Sequence, residues 1–177
     1  MKRREILGVA LLLPPLFHPL RGLAQSCGVI TPRQTEGPFF TPNSPKRTSL
    51  LEGTEKTRFF VTGTVLSAQC KPVANALLDF WHSDEAGAYD NKGFRYRGHQ
   101  HADAQGRFRL ETIVPAEYPG RTRHIHVKVQ APGKRILTTQ LYFPGDPGNK
   151  RDAIYRAELE MKKAKEGEAS FDFVVEA

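Results

Sequence analysis

Six short runs of β-branched and aromatic residues, each bounded by turn signals, constrain this chain more than any other feature. They occupy residues 59–66, 76–81, 108–113, 124–129, 136–143 and 171–175. Runs this short read as strands, and their number and spacing predict an all-β fold, an antiparallel β-sandwich. Asp103-Ala104-Gln105-Gly106 predicts a tight turn, and Pro144-Gly145-Asp146-Pro147-Gly148 predicts a loop. The charged stretch 151–165 is expected to hold one short helix, since Ile154, Ala157, Leu159 and Met161 fit a 3.6-residue period loosely. Residues 25–54 are rich in Pro, Thr, Ser and Gly and are expected to form an extended arm on the core, leaving the sandwich itself to 55–177.

A length of 177 residues suits one domain, and 39% apolar with 25% charged residues is ordinary globular composition. Collagen, coiled coil and wholesale disorder are excluded. No apolar run reaches the roughly 18 residues that span a bilayer. Residues 1–24 read as an export signal: Lys2, Arg3 and Arg4, then an apolar stretch, then Gly22-Leu23-Ala24 as a cleavage site. The run K-R-R-E-I-L resembles a twin-arginine signal, with a general secretory signal as the alternative. Its removal takes Lys2, Arg3, Arg4, Arg21 and Glu5 with it, so the formal charge of +7 falls by three and basicity is a weak clue to nucleic acid. No nucleic-acid partner is expected, nor a membrane after signal removal. The mature protein is expected to be periplasmic or extracellular, where Cys27 and Cys70, the only cysteines, would form a disulfide. Closing that loop would contribute about 4 kcal/mol.

The run His124-Ile125-His126-Val127-Lys128-Val129 alternates strictly. In a strand it projects His124 and His126 to one face and buries Ile125, Val127 and Val129 on the other. Two imidazoles on one face can chelate a transition metal, although no acid follows as a cupin requires. A structural zinc site would require thiolates, which the disulfide takes. Just upstream, a Pro-Gly turn in Glu117-Tyr118-Pro119-Gly120-Arg121 would hold Tyr118 and Arg121 near the pair. Farther back, Trp81 to Tyr89 runs from a strand into a loop.

These residues resemble the intradiol ring-cleavage dioxygenases, whose members include protocatechuate and catechol dioxygenases. The resemblance rests on W-x(7)-Y, then Y-x(5)-H-x-H with an arginine three residues before the first histidine, and extends from T-E-G-P-F-F at Thr35 to Y-F-P-G-D at Asp146. It implies that Tyr89, Tyr118, His124 and His126 hold a mononuclear Fe(III), with a hydroxide as fifth ligand. Two tyrosinates and hydroxide would neutralise the ion, and hard anionic oxygens would keep it ferric. It further implies that Tyr118 is displaced by the catechol dianion, that Arg121 stabilises negative charge on the ring carbon attacked by O2, and that Gln140 lines the pocket. Tyr96 is a rival for Tyr89, and the spacing from Trp81 decides for Tyr89. His99-Gln100-His101 is a second H-x-H, expected to be exposed, and His82 is expected at the pocket.

The function so implied is Fe(III)-dependent cleavage of a catechol-type diol by O2, between the hydroxyl-bearing carbons, to a cis,cis-muconate-type diacid. The chain is expected to be the bare catalytic sandwich, without the N-terminal helical region of catechol dioxygenases, and its oligomeric state is open. A non-catalytic β-sandwich binding module with a degenerate metal site is the alternative. A zinc hydrolase on His124 and His126 is a weaker one, since no carboxylate stands as general base.

Overall fold

The computed structural model describes residues 28–177; the expected export signal and Cys27, half of the expected disulfide, lie outside the described residues. The strands are β1 (Phe59–Ser67), β2 (Leu77–Trp81), β3 (Arg97–His101), β4 (Arg107–Thr112), β5 (His124–Gln130), β6 (Leu137–Tyr142), β7 (Lys162–Lys165), β8 (Glu168–Ser170) and β9 (Phe173–Val175). They build two sheets. One runs β3-β2-β5-β6 and is antiparallel throughout. The other runs β4-β1-β8-β7 with β9 also on β1, and here β8 and β9 lie parallel to β1. The all-β sandwich expected from the runs is therefore the fold, with a parallel flank added. That flank is interrupted where Phe171 crosses Gly63: a Cβ on Gly63 would sit 1.8 Å from the Phe171 carbonyl oxygen, and the Asp172 carboxylate accepts the Thr64 N–H at 2.8 Å.

Two expectations need correction. Residues 151–165 hold no α-helix; 3₁₀ turns at Pro147–Arg151 and Ala157–Leu159 precede β7. The loose apolar period serves docking instead, with Leu159 and Met161 buried and the Met161 N–H donating to the Tyr142 carbonyl at 2.9 Å. The second H-x-H forms β3 rather than an exposed turn. Gln100 is buried and His99 Nδ1 lies 2.7 Å from the Ser44 carbonyl, leaving only His101 exposed.

Alternation supplies the core. Ile125, Val127 and Val129 of β5, with Leu78, Phe80 and Leu141, meet Val61, Val65, Phe108, Leu110 and Phe173 of the other sheet. Each such burial contributes about 1.5–3 kcal/mol. The same alternation sends His124, His126 and Lys128 to the outer face. That face is roofed by the arm, which donates from Gln34 N to Thr138 O and from Arg47 N to His99 O, both at 2.9 Å. Phe40 packs on Trp81 with centroids 4.9 Å apart, under Lys128 Nζ, which stands 3.2 Å from the Phe40 ring and 2.6 Å from Glu36.

Candidate metal centre

The centre is built on the outer face of β5. His126 lies opposite Trp81 of β2 and Gln140 of β6, and His124 lies opposite Tyr142. The Trp81 ring stacks on His126 at 4.8 Å and 7°, which fixes the imidazole plane. The two Nε2 atoms converge to 3.1 Å. His124 Nδ1 donates to the Thr122 carbonyl at 2.6 Å, so its Nε2 carries the lone pair. His126 Nδ1 is buried without a partner among the described residues. Burial pushes the His124 pKa down to about 4, with Arg121 adding to the effect, and burial followed by His124 holds His126 well below the usual value. Both rings are therefore neutral bases at neutral pH, the form a metal requires.

Tyr89 and Tyr118 arrive on irregular segments that the sequence orders by local hydrogen bonds. Asp84 Oδ1 accepts from the Ala86 and Ala88 N–H groups, and Asp90 accepts from Lys92, Gly93 and Arg95 N–H. Those three amides hold the Asp90 carboxyl down at about 2. Gly87, at φ +83°, lets this loop touch the Tyr118 turn, since a Cβ there would stand 2.6 Å from the Glu117 carbonyl oxygen. The Tyr89 ring is stacked on Phe39 at 4.4 Å and 15° and lies edge-on to Tyr118 and His126. Its hydroxyl is buried and, among the described residues, has no hydrogen-bond partner of good geometry, and burial, then the neighbouring Tyr118, raise its pKa. The rival Tyr96 has a different setting. It is 1% exposed, and its hydroxyl interacts with Glu85 at 2.9 Å and Glu55 at 3.2 Å.

Arg121 sits at the rim, bonded through Nε to Asp152 Oδ2 at 2.9 Å and through Nη2 to Gln140 Oε1, with Nη1 3.4 Å from the Tyr118 hydroxyl. The Asp152 side chain is 1% exposed and also accepts the Thr122 N–H. Gln140 Nε2 donates to Thr35 O on the arm, which fixes Oε1 toward Arg121 and the Tyr142 hydroxyl. Beside these groups opens a cleft of about 340 Å³ lined by Tyr118, Gly120, Arg121, Thr122 and Asp152. Its walls include Tyr118 and Arg121 but not Tyr89, His124 or His126.

The structure thus brings together all six residues singled out from the sequence. It removes His82 from the pocket, because its ring nitrogens lie 2.6 Å from Thr112 Oγ1 and 2.7 Å from the Ser83 carbonyl, inside the fold. Sequence reasoning missed Asp152, hidden in a charged stretch, and Phe39, whose place above Tyr89 depends on the arm's path. Among the described residues no three His, Cys, Asp or Glu side chains converge on a metal-sized site. The imidazole pair is instead flanked by the phenol rings of Tyr89 and Tyr118. The neutral imidazole pair and the unpartnered, buried Tyr89 hydroxyl fit an oxygen-seeking ion such as Fe(III).

A family model described as Dioxygenase matches residues 35–176. The chain is 33% identical over 144 residues to catechol 1,2-dioxygenase 2 of Acinetobacter lwoffii, covering 66% of this chain and 52% of that protein. It is 38% identical over 125 residues to the protocatechuate 3,4-dioxygenase beta chain of Burkholderia cepacia, covering 60% and 53%. It thus spans about half the length of these curated relatives. Among solved structures, the dioxygenase domain of a dioxygenase carbohydrate-binding protein fusion from Streptomyces sp. SirexAA-E superposes with a TM-score of 0.79 at 54% identity, covering 84% of this chain and 99% of that one. Hydroxyquinol 1,2-dioxygenase from Pseudomonas putida DLL-E4 gives 0.75 at 28% identity, covering 88% and 69%. With most of its length matched, the chain belongs to the intradiol ring-cleavage dioxygenase family.

Proposed function

We propose that this protein is an exported, Fe(III)-dependent intradiol dioxygenase acting on a small catechol-type diol. The observation that carries the reading is the meeting of two neutral imidazoles with a buried, unpartnered tyrosine hydroxyl beside Tyr118 and Arg121. Tyr89, Tyr118, His124 and His126 would hold the ion. When bound, Fe(III) supplies the Lewis acidity that keeps the diol as its dianion and makes the ring reactive toward O2. Tyr118, bordering the cleft, is placed to take up a phenolic proton as the diol enters. Arg121 is held on two sides and presents fixed positive charge where negative charge grows on the ring as O2 attacks. Gln140 positions Arg121 and ties the arm to it. The net reaction breaks the bond between the hydroxyl-bearing carbons and places both oxygen atoms in a cis,cis-muconate-type diacid.

Ferric loading of the purified protein, followed by anaerobic catechol and then O2, tests this. A visible tyrosinate band that shifts with catechol, then a diacid product, is expected. A colourless protein with ferric iron bound would favour the binding-module reading. The N-terminal sequence supports export, and edman sequencing of secreted material, expected to start near Gln25, tests it.

A further inference from the structure

Arg97 of β3 is a charge for which the site described above has no task. Its side chain is 1% exposed, and among the described residues it forms no ion pair. A guanidinium buried without a counter-ion is costly and persists only where something offsets it. Among the described residues, the hydrogen bonds of the guanidinium go to two carbonyls. Nε and Nη2 donate to Asp90 O at 2.9 and 2.8 Å, and Nη1 donates to Phe39 O at 2.6 Å. Asp90 directly follows Tyr89, and Phe39 carries the ring stacked on Tyr89. The Asp90 carboxylate is already occupied by three backbone amides. On the strand ladder Arg97 also lies opposite Trp81, the residue stacked on His126.

We propose that Arg97 is a positioning residue for Tyr89, clamping that ring between its own loop and the arm while placing fixed positive charge against the backbone on either side of it. This deepens the ferric-tyrosinate reading and rests on it. The two roles are separable. The fork geometry does the clamping, and a lysine cannot hold two carbonyls in that way. The charge lowers the energy of the tyrosinate electrons, so losing it moves tyrosinate-to-Fe(III) charge transfer to longer wavelength.

Visible spectra and ferric retention against citrate would be measured for Arg97→Lys, Arg97→Gln and the native protein, with thermal melts alongside. Arg97→Lys is expected to keep the native band position but retain iron roughly 10- to 100-fold more weakly, as loss of an outer-shell support does. Arg97→Gln is expected to lose retention and also shift the band to longer wavelength. Lowered melting temperatures with band and retention unchanged would make Arg97 merely structural and overturn the proposal. If Arg97→Gln does not fold, native retention in Arg97→Lys overturns it equally. No visible band in the native ferric protein would overturn the ferric reading itself, and this proposal with it.

Discussion

Tyr89 and Tyr96 lie in one loop with opposite surroundings, and the difference yields a paired prediction. Among the described residues the Tyr89 hydroxyl has no hydrogen bond to lose, so Tyr89→Phe should leave thermal stability close to native while abolishing visible absorption and iron retention. Tyr96→Phe, which gives up interactions with Glu85 and Glu55, should cost about 1 kcal/mol and keep the colour. Spectra and melts of both variants check this, and equal loss of colour and iron would overturn the choice of Tyr89 over Tyr96. For Arg121→Ala, kcat should fall roughly 10²- to 10³-fold while the anaerobic catechol shift keeps near-native affinity, because the lost interaction belongs to the transition state. Asp152→Asn should move the same parameters in the same direction by a smaller factor, since it keeps the side chain's shape but removes the anion that holds Arg121. Stopped-flow absorbance separates the binding and oxygen steps in both variants. That Tyr89, Tyr118, Arg121, His124, His126 and Gln140 would meet was legible because the motif spacing on which the family resemblance rests survives in a bare sequence. Asp152 was not, because its partner is 31 positions away and its neighbourhood looks like any solvated charge run.

Strands were legible where side chains alternate and illegible where they do not. The runs around β1, β2, β4, β5, β6 and β9 appear close to where they were expected. The remaining strands, β3, β7 and β8, read Arg-Gly-His-Gln-His, Lys-Lys-Ala-Lys and Glu-Ala-Ser, polar sequences that become strands through their neighbours. Gly98 shows the cause in β3: a Cβ there would come within 2.8 Å of Leu50 Cδ2 and Arg47 Cγ, so the strand exists in the form the arm allows. The same tertiary logic governs the loops that carry the tyrosines. Gly87→Ala adds a methyl 2.6 Å from the Glu117 carbonyl and places alanine at φ +83°. It should lower stability by more than 1 kcal/mol and separate Tyr89 from Tyr118, so colour should weaken even in the folded fraction. A melt that falls with the spectrum per folded protein unchanged would mean that the loops do not set ligand spacing.

At the scale of the molecule, the site exists because a sheet face that alternation would leave to water is roofed by an arm whose composition, but not whose path, can be read from the chain. That roof and the sandwich beneath it bury histidines, and burial makes stability depend on pH. His82 illustrates it outside the ligand set. Desolvation lowers its pKa to about 4 from 6.5, and both ring nitrogens are engaged with Thr112 and Ser83. The unfolded chain therefore binds a proton at His82 between those pH values that the folded protein refuses. Stability must rise with pH through this window and, for this group, become flat above pH 6.5. The gradient from one such proton is at most about 1.4 kcal/mol per pH unit, and the whole shift is worth about 3 kcal/mol. The depressed His124 and His126 pull in the same direction. Urea melts of the native protein at closely spaced pH between 4 and 7.5 should thus show an acid limb steeper than a single proton produces. His82→Gln offers an amide to Thr112 without a titrating ring, so it should flatten that limb by close to one proton, whatever it does to stability at pH 7.5. An unchanged gradient in the variant would mean that His82 is protonated in the folded protein, which its complete burial argues against.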